Sequence, residues 1–319
     1  MNIRHEIHAF IQKRFVLLCI TSLLLGLFLG EAVAGYSFII PWLLGLLMFS
    51  NGLGLRVQDL RVLREKPWLL PVILLVFHFV MPAIALVLAR LLGFSTDVVV
   101  GLVLISLIPM SATAIVWTGV YRGNLTLSMA IVLVDTIVAP FIIPYMLALF
   151  FGTDVVMDPV KMLRGLFWML FFPTMLAIAC NRLTGGKAYR VAEKPLAFFS
   201  QMLVLSVLML NGGVVAPYVR DSNTLFLLIF AASLILGTFW FVFSFALGRF
   251  MFSDEGDVLA FMFTGSMRTT TAGMVIAVAY FPPVVTLVMV SGMFFQQAQG
   301  AWCGKLARTW LDKRKKALN

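Results

Sequence analysis

Charged residues are scarce in this sequence of 319 residues, since Asp, Glu, Lys and Arg together make up 12% of it. Soluble globular domains contain about 25% charged and about 45–50% apolar residues, whereas 61% of this chain is hydrophobic. The hydrophobic residues are gathered into long runs of the kind that cross lipid bilayers. These proportions exclude a water-soluble globular protein and indicate a chain that crosses a membrane several times.

Cysteine and histidine are also rare, with three of each. Cys19, Cys180 and Cys303 lie in separate apolar stretches without the spacing of a metal site, so we interpret them as small apolar residues. Two histidines lie near the N-terminus, which leaves His78 as the one histidine in a hydrophobic run. The sequence therefore offers no metal centre and no nucleophile–base pair of an enzyme, and it predicts no bound cofactor.

Ten hydrophobic segments are long enough to cross a bilayer, for which about 20 mostly apolar residues are needed. The connections between them are short, so residues 1–319 are expected to form a single integral membrane domain. The fold class predicted is an all-α polytopic membrane protein. We number the segments spans 1 to 10, and their approximate bounds are 15–34, 37–55, 69–92, 97–119, 126–151, 162–181, 196–215, 224–249, 257–281 and 283–304.

Lys and Arg are distributed unevenly between the two sides of the membrane. If the N-terminus lies inside the cell, most of the 24 Lys and Arg residues fall in inside segments, and only Arg90, Lys161, Arg164 and Arg220 fall outside. Because positive loops stay cytoplasmic, both termini are expected to be cytoplasmic, in a multi-pass protein of the cell membrane. The net charge of +10 then reflects orientation and contact with the lipid bilayer, not binding of nucleic acid.

The chain repeats two short patterns at nearly the same interval. LMFSNGLGL in span 2 resembles LMLNGGVV in span 7, which places Asn51 and Asn211 160 residues apart. PMSATAIV in span 4 resembles SMRTTTAGMV in span 9, which places Met110 and Met267 157 residues apart. An interval of five spans turns the second copy upside down, and inverted five-helix repeats are typical of secondary transporters. Chance similarity between apolar segments is the alternative. The expected repeats are about 15–151 and 162–304.

Spans 4 and 9 are interrupted by small polar residues, as in GSMRTTTAG from Gly265 to Gly273. Because unpaired backbone groups are costly in hydrocarbon, helix breaks survive only where they line a polar cavity or pack inside protein. Half-helices that begin at such breaks direct the positive ends of their dipoles at the cavity. We therefore expect spans 4 and 9 to unwind and to cross near the middle of the membrane. The expected substrate-binding residues are Ser111, Thr113, Thr118, Asn211, Arg268, Thr269 and Thr271.

Ionisable residues inside the spans are few, and Asp135 of span 5 and Arg268 of span 9 lie deep. A charge at mid-span that faces lipid costs at least about 2.5–3.5 kcal/mol, so both must face the protein interior or water. Since no other opposite charges occur at comparable depth, we expect Asp135 and Arg268 to form an internal ion pair. His78 in span 3 is either a satisfied structural group or a member of the site.

Three motifs connect the chain to a known family: NGLGLRVQDL, PMSATAIVWTGVYRGNLTLSM and GSMRTTTAGMVIAVAYFPP. Through them the sequence resembles the bile acid:sodium symporter family over essentially its whole length. The most specific matches are Met81–Pro82, Arg122–Asn124 and Ala277–Pro283. The resemblance implies ten helices in two inverted five-helix repeats, arranged as a panel domain and a core domain, in which unwound helices 4 and 9 cross.

The side chains that bind sodium in that family are mostly replaced here. The resemblance assigns those ligands to positions that this chain fills with Phe77, Ala114, Ile115, Val132, Ser266 and Thr270, whereas the hydroxyl of Ser128 is kept. Since a hard cation needs several oxygen ligands, sodium coupling does not carry over. A proton or sodium remains a possible coupling ion. The expected ion-coupling residues are His78, Ser128, Asp135, Ser266 and Thr270.

These features predict a secondary carrier for a small or amphipathic organic anion, with Arg268 as a fixed positive charge that can bind a carboxylate. Sodium symport through backbone carbonyl ligands and arsenite-type efflux are the alternatives within the family. Arsenite carriers have a cysteine where this chain has Met110, so that thiolate is missing. A channel would need a continuous polar pathway, and an intramembrane enzyme would need a catalytic constellation. The sequence leaves the oligomeric state open.

Overall fold

Helices account for every regular element in the computed structural model, which describes residues 3–55, 57–152, 157–221 and 223–318. Those of the first half are α1 (Ile3–Leu29), α2 (Glu31–Ala34), α3 (Ile40–Gly52), α4 (Arg61–Glu65), α5 (Leu69–Leu75), α6 (Met81–Leu91), α7 (Thr96–Leu107), α8 (Thr113–Val120) and α9 (Leu125–Phe151). Those of the second half are α10 (Pro159–Leu166), α11 (Phe172–Leu183), α12 (Lys187–Asp221), α13 (Asn223–Met251), α14 (Glu255–Ser266), α15 (Thr270–Tyr280) and α16 (Pro283–Leu318).

Membrane crossing is supported by the length and apolarity of the helices. Within the described residues, five helices pass this test, and a sixth crossing arises if a pair bent by 70° counts as one span. The five are Leu69–Leu91, Leu125–Phe151, Pro159–Leu183, Pro195–Pro217 and Thr224–Met251. The prediction of an all-α polytopic membrane protein is therefore confirmed. Arg56 and the side chains of Arg4, Lys13, Arg14, Lys194, Arg220 and Lys316, which enter the orientation argument, lie outside the described residues.

Two of the long helices contain one wide π-helical turn, at Val76–Val80 and Phe167–Phe171. Each turn immediately precedes a helical segment with a proline at its second position, Pro82 in α6 and Pro173 in α11. Proline lacks an N–H and its ring clashes with the carbonyl four residues earlier, so the preceding turn widens. The first of these turns contains His78 and sets the direction of its side chain.

Spans 4 and 9 are both broken, as their sequences predict. Residues 108–112 separate α7 from α8, and residues 267–269 separate α14 from α15. The two breaks face each other, and Met110 pairs with Arg268 in an isolated antiparallel bridge. The crossing of two unwound segments is therefore present where the polar interruptions of the sequence place it.

The helices pack as two groups. In the first group, which contains spans 1, 2, 6 and 7, α12 packs along α1 and α3, and α3 also packs against α11. In the second group, which contains spans 3, 4, 5, 8, 9 and 10, α13 packs against α14 and α16, and α7 packs against α6 and α16. The crossing belongs to the second group and faces the first.

Close approach of α1 to α12 depends on glycine. A side-chain carbon at Gly26 would collide with the carbonyl oxygen of Met209 and would lie 3.1 Å from the Cα of Gly212. Gly213 similarly faces the backbone of Gly30, four residues after Gly26. In membranes, small residues at this spacing let helix backbones touch, and van der Waals packing then holds the helices together.

Candidate functional site

The crossing is closed by hydrogen bonds between the two breaks. The N–H of Ser111 donates to the carbonyl of Met267 at 3.0 Å, and the N–H of Thr269 donates to the carbonyl of Pro109 at 2.7 Å. The hydroxyl of Thr269 donates to the carbonyl of Met110 at 2.9 Å. These bonds satisfy backbone groups that the broken helices release, which is why unwound chain is stable at this depth.

A cavity of about 340 Å³ lies beside the crossing, between the two helix groups. The first group contributes residues of α1, α3 and α12, and the second contributes both breaks and α16. Part of the lining is apolar, as with Phe15, Leu23, Val204 and Phe294. The polar lining residues are Asn51, Ser111, Thr113, Ser200, Gln201, Arg268, Thr269, Thr270, Thr271, Gln296 and Gln297.

The described lining of this cavity includes Arg268 and the N-termini of two helices. None of its lining residues, all within the described part of the chain, is acidic, and Arg268 is the charged one among them. Two half-helices begin at its wall, α8 at Thr113 and α15 at Thr270. The N-terminal turn of a helix carries a partial positive charge, so both ends favour an anion. In α8 the N–H groups of Thr113, Ala114 and Ile115 already donate to Ser111 and Ala112.

Arg268 is nearly enclosed, with 2% of its surface exposed. Its guanidinium donates to the carbonyl of Ile108 at 3.3 Å, lies 3.8 Å from the sulfur of Met81 and stands over the ring of Phe77 at 5.6 Å from the centroid. Its backbone N–H donates to Gln296 Oε1 at 2.8 Å. The guanidinium Nε has no hydrogen-bond partner among the described residues. Arg268 thus retains an unused donor inside the protein.

Asp135 is held on the other side of the same backbone turn. Its Oδ2 accepts from the N–H of Met110 at 2.5 Å, and its Oδ1 lies 2.8 Å from Nε2 of His78. Both ionisable side chains are buried, with 1% of the side chain of His78 and none of that of Asp135 exposed. The other ring nitrogen of His78, Nδ1, has no hydrogen-bond partner in the described part of the chain.

Among the described residues, the ion pair expected between Asp135 and Arg268 is not formed by direct contact. Within the described residues, the carboxylate contacts His78 and Met110, while the guanidinium contacts Ile108 and its apolar neighbours. Both charges contact the backbone of residues 108–110, which lies between them. The wide turn before Pro82 brings His78 to the carboxylate, a geometry that hydropathy alone does not reveal.

The structure brings half of the twelve expected site residues to the cavity wall: Ser111, Thr113, Arg268, Thr269, Thr270 and Thr271. Asn211 is not among the lining residues: it is fully buried, its amide N–H donates to the carbonyl of Val207 at 2.7 Å, and its Oδ1 has no hydrogen-bond partner among the described residues. The hydroxyl of Thr118 donates to the carbonyl of Ala114 at 2.8 Å and to the hydroxyl of Ser128 at 3.3 Å, behind the cavity wall.

Ser266 faces away from the cavity, since its hydroxyl lies 3.0 Å from the carbonyl of Trp240 and 2.6 Å from that of Met262. His78 and Asp135 form their own pair behind the crossing. Neither Asn211 nor Thr118 is among the residues that line the cavity, so their contact with substrate stays a prediction.

Several amides at the cavity were missed by the sequence interpretation. Gln296 and Gln297 in α16, Gln201 in α12 and Asn51 in α3 all line it. Asn51 had a signal, because it is the repeat partner of Asn211. The two adjacent glutamines could also have been recognised from the sequence, because such a pair is rare in a membrane span and buried amides require hydrogen-bond partners. Gln296 and Gln297 bond to the backbone N–H of Arg268 and the indole of Trp117, respectively.

Comparison with known proteins identifies the family of the chain. Residues 13–312 match the SBF-like CPA transporter family. The chain is 31% identical over 290 residues to the uncharacterized protein YbaS of Bacillus subtilis (strain 168), covering 90% of this chain and 94% of YbaS. It is 24% identical over 316 residues to YocS of the same organism, an uncharacterized sodium-dependent transporter, covering 99% of this chain and 96% of YocS.

A plant relative matches over a shorter region. The chain is 29% identical over 138 residues to BASS2, a probable sodium/metabolite cotransporter of the chloroplast in Oryza sativa subsp. japonica, covering 43% of this chain and 33% of BASS2. The resemblance to bile acid:sodium symporters is thereby confirmed. Since the family match extends over nearly the whole chain, the protein belongs to the SBF-like CPA transporter family and is a membrane transporter, not an enzyme.

Proposed function

We propose that this protein is a secondary carrier of a small amphipathic organic anion, one that works without bound sodium. The main support is the cavity where Arg268 and the N-termini of α8 and α15 meet. No described lining residue of this cavity is acidic. A carboxylate or sulfate group fits the polar wall, because charged donors and helix N-termini both favour anions. The apolar wall, with Phe15 and Phe294, suits the hydrocarbon part of such a substrate.

The proposal includes ten spans in two inverted repeats, and helix packing supports that symmetry. Span 1 packs on span 7, and span 6 packs on span 2. Span 3 packs on span 4, and span 8 packs on span 9. The first half of span 4 packs on span 10, and the first half of span 9 packs on span 5. Each pair maps onto its partner when five is added to or subtracted from the span number, as a two-fold axis through the crossing requires.

The two helix groups suggest how access alternates. The cavity lies between them, and the binding backbone belongs to the second group. Carriers with interrupted helices commonly move one rigid bundle against the other around a site of this kind. In this proposal, the second group carries the anion past the first group, which presents Asn51 and Gln201. Positive-inside orientation in the cell membrane, with both termini cytoplasmic, completes the arrangement.

Sodium-free operation is supported by the residues at the positions that the family uses for sodium. Ala114, Ile115 and Val132 have no side-chain oxygen, and Phe77 lies beneath the guanidinium of Arg268. The hydroxyl of Ser266 bonds to two backbone carbonyls. A fixed arginine charge with the buried Asp135–His78 pair behind it takes the place of a bound cation. Sodium needs several oxygen ligands, and the side chains at these positions supply too few of them.

Sodium symport is the second candidate, and the name of the relative YocS favours it. In that case the ligands would be carbonyl groups of the crossing, with the hydroxyls of Ser128, Ser266 and Thr270 as further ligands. The two candidates differ in one measurable quantity, the dependence of uptake on external sodium.

The test is counterflow in proteoliposomes that contain the purified full-length chain. Vesicles are loaded with one unlabelled organic anion at a time, and uptake of the labelled anion is followed in sodium and in choline buffers. A carrier gives a transient overshoot that saturates with substrate, whereas a channel gives neither. The proposal fails if a panel of carboxylates and sulfates produces no overshoot, or if uptake is lost in choline.

A further inference from the structure

A second cavity, of about 810 Å³, opens at the ends of spans 2 and 6, away from the crossing. One wall is formed by the segment after α3, including Gln58, Arg61 and Arg64. The other wall is the hairpin between α11 and α12, including Arg182 and Arg190. The transport proposal assigns no role to this cavity.

Four guanidinium groups surround this space. The lining residues include Arg61, Arg64, Arg182 and Arg190, and none of them, within the described ranges, is acidic. In the same described part of the chain, these four arginines form no ion pair. Four like charges repel one another unless an anion lies among them, and planar guanidinium groups match phosphate oxygens in pairs.

A buried amide adds a hydrogen-bond acceptor to the cavity wall. Asn181 also lines it and is 8% exposed, and its Oδ1 has no hydrogen-bond partner among the described residues. A buried acceptor without a partner is costly unless a ligand or water donates to it. The complementary ligand therefore carries a phosphate for the arginines and a hydroxyl donor for Asn181.

The hairpin geometry keeps the cavity open. Gly185 and Gly186 have φ values of 58° and 82°, which glycine adopts without strain. This double turn allows α12 to start beside the end of α11, so that Arg182 and Arg190 reach the same space. Leu183 and Val191 on this hairpin are 86% and 82% exposed. Such apolar side chains beside a ring of arginines match the boundary between acyl chains and headgroups.

We propose that this cavity binds the phosphate of an anionic phospholipid whose headgroup carries hydroxyl groups, as in phosphatidylglycerol. Basic cavities between spans on the cytoplasmic side bind such headgroups in membrane proteins. The segment Val57–Leu60 on one wall packs against α9 of the second helix group, while the opposite wall belongs to the first group. A bound headgroup therefore links the two groups. A soluble phosphate ester has the same chemistry and is the alternative source.

The experiment measures binding, not transport, so its outcome is independent of the proposed substrate. The full-length chain is purified in detergent, stripped of lipid and titrated with phosphatidylglycerol or phosphatidylcholine in native mass spectrometry. The pocket variants are Arg61→Gln/Arg64→Gln and Arg182→Gln/Arg190→Gln, one for each wall. The control is Lys313→Gln/Lys315→Gln, which removes the same charge from the exposed part of α16.

Each pocket variant is expected to weaken phosphatidylglycerol binding by about thirtyfold, since an arginine near an anionic headgroup contributes about a factor of five. The control variant keeps the wild-type dissociation constant, and phosphatidylcholine binds more weakly than phosphatidylglycerol. Thermal stabilisation by inorganic phosphate or glycerol 3-phosphate, lost in both pocket variants, would instead identify a soluble source for the same site. The inference is overturned if neither probe binds, or if the pocket and control variants lose affinity equally.

Discussion

The imidazole Nε2 of His78 and the carboxylate Oδ1 of Asp135 lie 2.8 Å apart, and no more than 1% of either side chain is exposed. The second carboxylate oxygen accepts from the backbone N–H of Met110, within the unwound part of span 4. Met110 in turn pairs with Arg268 across the crossing. A change of charge at Asp135 therefore acts directly on the backbone of the crossing, one residue before Ser111 of the cavity wall.

Replacement of Asp135 by Asn is expected to destabilise the protein and to stop transport. The amide preserves an acceptor for Met110 but removes the negative charge nearest to buried Arg268. Breaking a buried charge pair typically costs about 3–5 kcal/mol, and we expect about the lower value because the two groups are not in direct contact. Thermal unfolding in detergent measures the change, with Asp158→Asn as a control at an exposed helix cap.

The double variant tests whether the two charges depend on each other. Arg268→Ala alone is expected to destabilise the protein because it removes the fixed positive charge that faces Asp135 across the backbone of residues 108–110. In Arg268→Ala/Asp135→Asn, the loss should be smaller than the sum of the single losses, as in any pair that interacts. Strict additivity of the two single effects on unfolding would contradict the coupling.

Uptake by the wild-type protein is expected to be unchanged when choline replaces sodium. The physical reason is the shortage of free oxygen ligands, since the hydroxyl of Ser128 is already within 3.3 Å of Thr118 and that of Ser266 bonds to backbone carbonyls. Initial rates across a sodium titration measure this, with a known sodium symporter in parallel vesicles as the positive control. A steep, saturable rise with sodium would favour the symport alternative.

The breaks in spans 4 and 9 could be predicted from the sequence because the residues that cause each break are neighbours in the chain. Three threonines, an arginine and a glycine within one span cannot form a stable lipid-facing helix, so the break between α14 and α15 follows from composition. The approximate positions of the apolar helices, though not their ends, follow from the lengths of the hydrophobic runs. Side-chain partners were not accessible: the sequence interpretation paired Asp135 with Arg268, the one opposite charge at comparable depth, whereas the structure places the carboxylate against His78. The wide turn before Pro82 brings the histidine there, and its direction depends on packing.

The cavity wall was only half predictable, for a related reason. Residues at the breaks reach it because the breaks themselves form it, whereas Asn51 and Gln201 reach it from the other helix group. Which face of α3 or α12 points to the crossing depends on how the two groups dock. Asn211 shows the limit, since it matches Asn51 in the sequence repeat yet bonds to the backbone of its own helix.

Asn51 and Asn211 offer a matched test of the site. Asn51→Ala is expected to raise the KM for the transported anion about tenfold or more, because a hydrogen bond to a charged group contributes about 1.5–3 kcal/mol. Its effect on stability should be small, since Asn51 is half-buried at the cavity. Asn211→Ala should lower the unfolding temperature and leave KM unchanged, since this residue is fully buried and is not among the residues that line the cavity. The reverse pattern would place the site elsewhere.

Contact between α1 and α12 predicts the behaviour of Gly26. The Gly26→Ala substitution puts a methyl group against the carbonyl of Met209 and 3.1 Å from the Cα of Gly212, so the helices must separate. Overpacking of this kind costs about 1–3 kcal/mol, and thermal unfolding in detergent should report it. Gly35→Ala is the matched control, because Gly35 is helical and exposed and its new methyl group would approach nothing closer than the carbonyl of Glu31 at 4.0 Å. Equal stability of the two variants would mean that α1 does not dock on α12 as closely as the structure shows.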